Sequence, residues 1–81
     1  MMNRMAPPTP TSLLRWIFQR GHDRIICQVD AGRSFTMSLL PRNGAARTLI
    51  ETFDNRLQAF HRHAEVAMKL RDFGWTVSYG R

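Results

Sequence analysis

The chain has one cysteine, Cys27, and one lysine, Lys69. A single thiol rules out an internal disulfide framework, and no CxxC or Cys/His array supplies the ligands of a structural zinc site. Long apolar runs are missing too. Stretches such as "WIF" and "IIC" stop at three residues, far short of the roughly 20 that span a bilayer. The opening stretch, "MMNRMAPPTPTS", carries an arginine but no apolar signal-peptide core. The expectation is a protein without a membrane span, working in the cytoplasm. Glycines are isolated, which leaves no loop to cradle a phosphate.

What is present is a modest apolar fraction and an excess of arginine. The 81 residues are 43% hydrophobic, ordinary for one small globular domain and too rich for a disordered chain. Of the 12 basic residues all but Lys69 are arginine, and the net charge is +6. Such a balance favours acidic partners or nucleic acid. The arginines are dispersed, however, and no two basic residues are adjacent. That dispersion favours a compositional bias over a binding surface.

Residues 1–12 hold Pro7, Pro8 and Pro10 and little that could enter a core. They read as a flexible proline-rich tail, followed by a single α+β domain over 13–81. From Leu13 the pattern alternates. Leu14, Trp16 and Phe18 share one face, then Ile25, Cys27 and Val29, then Phe35, Met37 and Leu39. "GHD" and "AGR" punctuate these segments, so they read as an antiparallel meander with one buried face. Asn43-Gly44 is a hairpin signal, since both residues tolerate positive φ. The next segment fits two patterns. Its β-branched residues, Thr48, Ile50 and Thr52, place a fourth strand over Arg47 to Phe53. The alternative, one helix from Ala45 to Asp72, would be about 42 Å long.

A helix then runs from a cap at Asp54 or Asn55 to about Asp72, with Gly74 as its stop. Asn55 with Gln58 resembles a capping box. "WTVSY" alternates again and suggests a short terminal strand. On the helix, the apolar stripe is centred on Phe60 and includes Leu57, Ala64, Ala67 and Met68. The expected core is Leu14, Trp16, Phe18, Ile25, Cys27, Val29, Phe35, Met37, Leu39, Phe60, Ala64 and Ala67.

"AFHRHAEVAMKL" holds His61, His63 and Glu65 within five residues and suggests a metal or an active site. At 100° per residue the two histidines point roughly 160° apart and cannot share one ion. His61 and Glu65 share a face, but two ligands do not complete a site. His63 is expected to pack its ring against the sheet edge and His61 to flank the helix near Glu65. Cys27 alternates with Ile25 and Val29, so it reads as a small buried hydrophobe rather than a nucleophile. No carboxylate pair has a catalytic spacing. No catalytic residue, metal ligand or cofactor is therefore assigned.

If Thr11 to Arg20 were helical, the order α-β-β-β-α would resemble a double-stranded-RNA-binding domain. That family's second helix opens on a lysine cluster that grips phosphates. The matching stretch here, "DNRLQAF", offers Arg56 alone, and the function is not carried over.

The remaining functional signal is the outer face of the sheet, where long polar side chains stand beside Ile17, Ile26 and Ile50. Arg15, Gln19, Arg24, Gln28, Arg47 and Arg56 are the candidate binding residues. The first expectation is a non-enzymatic protein-interaction module whose partner is a second copy, giving a homodimer, or another protein. The alternative is a weak nucleic-acid-binding module using the arginine-bearing face.

Overall fold

A computed structural model of the chain describes residues 11–42 and 48–80. Five strands and one helix follow in the order β1 (Thr11–Arg20), β2 (Asp23–Ala31), β3 (Phe35–Pro41), β4 (Leu49–Phe53), α1 (Arg56–Asp72) and β5 (Thr76–Gly80). The strands form one antiparallel sheet, β4-β3-β2-β1-β5, with α1 packed on one face. The fold is thus α+β with a meander, as the alternation of the sequence indicates. Thr11–Arg20 is a strand, so the helical reading that invites comparison with an RNA-binding domain does not arise.

Local chemistry sets the register. Arg20 pairs with Asp23 across a two-residue loop, Gly21-His22. Only Gly21 of that loop has positive φ, at 61°. Glycine first with positive φ is the signature of a type II′ turn, whose twist matches that of the flanking strands. The register then places Trp16 opposite Cys27 and Phe18 opposite Ile25. It continues with Cys27 opposite Leu39, Val29 opposite Met37, and Leu39 opposite Leu49. These pairs put the large apolar side chains in rows on the helix-bearing face. Phe18, Cys27, Val29 and Met37 are fully buried there.

The chain leaves β4 at one edge, crosses the sheet as α1 and returns at the opposite edge as β5. The Asn55 side chain accepts a hydrogen bond from the Leu57 N–H at 2.7 Å and caps the helix. At the other end Gly74 takes φ 91°, a left-handed stop that only glycine adopts without strain.

Several expectations need correcting. The buried face of α1 is Ala59, His63, Val66 and Ala67. Of the expected stripe only Ala67 is buried. Ala64 is exposed, Leu57 is 73% and Met68 64% exposed, and Phe60 is half-buried at the rim. The helix is turned by roughly 75° from the apolar-stripe reading. The reason is physical: the side chain nearest the centre of the seated face is a histidine with a hydrogen bond to the sheet. Alanines beside it let the helix approach closely. Leu14, Trp16, Phe35 and Leu39 are half-buried and pack against the core rather than lying within it. Val66 and Ala59 are in the core, neither of them expected, and Trp75 lies there with them. β1 opens at Thr11, so Thr11 and Ser12 pair with Ala31 and Asp30. β4 begins at Leu49, two residues inside the expected strand. The tail through residue 10, the Asn43-Gly44 turn and Arg47 lie outside the described residues. No helix among the described residues is long and apolar enough to cross a membrane.

Candidate interaction face

Strand alternation decides which residues share the open face. On β1 and β2, Arg15 lies opposite Gln28, Ile17 opposite Ile26, and Gln19 opposite Arg24. These six side chains point away from α1, because their neighbours Trp16, Phe18, Ile25 and Cys27 point toward it. The central pair extends into a row across four strands. Tyr79 lies opposite Ile17, and Leu40 lies opposite Ile26. An apolar stripe, Tyr79–Ile17–Ile26–Leu40, therefore crosses the face between the Gln19–Arg24 row and an Arg15–Gln28 row that continues through Ser38 to the exposed Ile50. Ile26 is only 8% exposed yet stands apart from the helix-side core. The stripe is a second, smaller apolar cluster.

Arg42 joins this face at the Arg24 end, where its N–H donates to the Arg24 carbonyl at 2.9 Å. Gln19, Gly21, His22, Arg24 and Arg42 line a polar hollow of about 310 Å³. At the opposite end, Ser12, Leu13, Leu14, Arg15 and Tyr79 border a hollow of about 390 Å³. The face is not wholly basic. Asp30 lies beyond Gln28 and accepts its Nε2–H at 2.9 Å.

Apart from Arg33, exposed in the loop between β2 and β3, the described arginines sort by face. On the helix side each is engaged. The Arg20 guanidinium lies 4.6 Å from the centre of the Trp75 ring and donates to the Phe73 carbonyl at 2.9 Å. Arg56 lies over Phe35 at 5.8 Å and Arg71 over Trp16 at 5.6 Å. Arg62 donates to Glu51 at 2.7 Å and lies 3.6 Å from Glu65. The Glu51 contact holds its guanidinium above the ordinary range. On the open face, Arg15, Arg24 and Arg42 are exposed and make no ion pair among the described residues.

Four of the six candidate binding residues, Arg15, Gln19, Arg24 and Gln28, are thus brought together. Arg56 is not, since it sits at the first turn of α1 in the other layer. Arg47 lies outside the described residues. Leu40, Arg42 and Tyr79 belong to the face and were missed. The signal for Leu40 was a second leucine directly after Leu39, which must point the other way in a strand.

The groups that suggest chemistry in the sequence have structural surroundings. His63 is buried, its ring edge-on to Trp16 at 5.3 Å, with Nε2 3.1 Å from the Cys27 carbonyl. A carbonyl only accepts, so Nε2 carries the proton. Burial holds the His63 pKa below the ordinary value, partly offset by that hydrogen bond. Burial likewise pushes the Cys27 thiol up to about 12. Among the described residues no three His, Cys, Asp or Glu gather as metal ligands would.

No protein-family model, curated protein or solved structure matches the chain.

Proposed function

We propose that this chain is a non-enzymatic protein-interaction module whose working surface is the open face of the sheet. The observation that carries the reading is the sorting of arginines. Those on the helix side are held by rings or carboxylates, whereas Arg15, Arg24 and Arg42 flank an apolar stripe with no ion-pair partner in the described chain. Exposed charge around an apolar centre is the arrangement of a small interface. The residues that could do covalent or acid–base work support the reading as well. Cys27 is a buried high-pKa thiol, His63 is committed to a backbone carbonyl, and Glu51 is paired with Arg62. A single buried thiol also suits the cytoplasm. Where the partner is a second copy, the product is a symmetric dimer.

Weak nucleic-acid binding on the same face is the second reading, favoured by the +6 charge. Contacts from the three open-face arginines to phosphates would give a log–log salt slope of roughly −2 to −3.

Peptide display on the full chain tests the first reading. Ligands selected on the wild type should bind the Arg15→Ala, Arg24→Ala double variant at least about tenfold more weakly. They should be indifferent to Lys69→Ala on the helix. Ligands that ignore the double variant, or follow Lys69, overturn it.

A further inference from the structure

We infer that the open face recognises an extended acidic segment in which two carboxylates flank an apolar side chain at two-residue spacing. The inference rests on the interaction-module reading and adds the chemistry of the partner.

Spacing comes first. Arg24, Ile26 and Gln28 are alternate residues of β2, and Arg15 stands beside Gln28 on β1. Four residues of strand cover about 13 Å, so the basic groups on the two sides of the stripe lie about that far apart along the strands. An extended chain shows one face at every second residue. Residues i and i+4 of such a chain therefore match this separation, and residue i+2 falls midway, over Ile17 and Ile26. The pattern is acidic–x–apolar–x–acidic. At one end the carboxylate meets Arg24 and Arg42 beside the hollow they share with Gln19. At the other it meets Arg15 beside the second hollow. Arginine binds a carboxylate through paired N–H donors, which fixes direction as well as sign.

Charge and the character of the stripe select among occupants. A second copy laid face to face would bring the arginine rows of one molecule near those of the other, and like charges oppose that contact. Single-stranded nucleic acid binds through aromatic platforms on which bases stack. The stripe here is aliphatic at Ile17, Ile26 and Leu40, with Tyr79 its aromatic member at one end. Aliphatic side chains between arginines suit leucine or valine between carboxylates.

The test uses the isotope-labelled full chain and four probes. The first is a short peptide with glutamate, leucine and glutamate at positions i, i+2 and i+4 in a neutral host. The second moves the last glutamate by one residue, onto the opposite face. The third replaces both glutamates by glutamine, and the fourth is a short oligothymidylate. The in-phase peptide should shift amide resonances of Arg15–Gln19 and Arg24–Gln28. The shifted peptide, the glutamine peptide, and the double variant Arg15→Ala, Arg24→Ala should each bind at least about tenfold more weakly. Equal binding of the in-phase and phase-shifted peptides overturns the inference. So does tighter binding of the oligonucleotide at the same amides, an outcome that would leave the open face as the working surface. Silence from every probe also overturns it, and the interaction-module reading then stands or falls on the display selection alone.

Discussion

Cys27 and His63 meet at one backbone carbonyl, and both titrate in ways that oppose the charged form. For His63 the folded pKa lies below the unfolded value of 6.5. The unfolded chain therefore takes up the proton first. The associated stability is full above that value and is lost as pH falls below it. Cys27 works in the other direction. Its folded pKa is about 12 against 9.0 for a free thiol, so its stability is full below 9.0 and is lost as pH rises toward 12. Denaturant midpoints measured against pH should fall on both flanks. His63→Gln, which cannot take a proton, should flatten the acid flank, whereas an unchanged acid slope would assign that flank to other groups. An aromatic disulfide reagent at neutral pH should leave the native thiol unmodified and label it only on unfolding.

At the scale of the element, α1 shows where sequence reading succeeds and where it stops. Alternation in β1 to β3, a cap at Asp54 or Asn55, the Gly74 stop and the terminal strand were all legible, because each depends on near neighbours. The orientation of the helix was not. Hydrophobic periodicity weighs only apolar residues, and the seated face contains His63 among two alanines and a valine. Which layer a basic residue joins was equally hidden: Arg56 follows β4 closely in sequence yet lies against Phe35. The observed orientation makes a sharp comparison. Ala67→Leu should overpack the contact with the sheet and cost about 1–3 kcal/mol. Met68→Ala, one residue along, should change stability by no more than about 0.5 kcal/mol. Asn55→Ala should cost about 1 kcal/mol through the lost cap. Urea unfolding of the three variants checks all of these, and a large loss at Met68 with none at Ala67 would reverse the assigned face.

In the whole molecule, stability is concentrated where the sheet and helix meet. Phe18 is fully buried in that layer, and Phe18→Ala should cost about 3–5 kcal/mol. Phe60→Ala, at the half-exposed rim, should cost distinctly less, and equilibrium unfolding of both variants ranks them. The pairing of β1 with β5 has a further consequence, in time rather than energy. β5 binds the edge of β1 through Trp16–Gln19, yet about 60 residues separate Arg20 from Gly80. A ribosome adding about 5–20 residues per second needs about 3–12 s to supply them. For that interval the nascent β1 has no β5 to close its edge, and Trp16 and Phe18 wait for the helix that will cover them. The sheet is completed only after its last strand has been delivered, so native folding follows translation of β5, and β1 is the segment that a nascent-chain chaperone would find open.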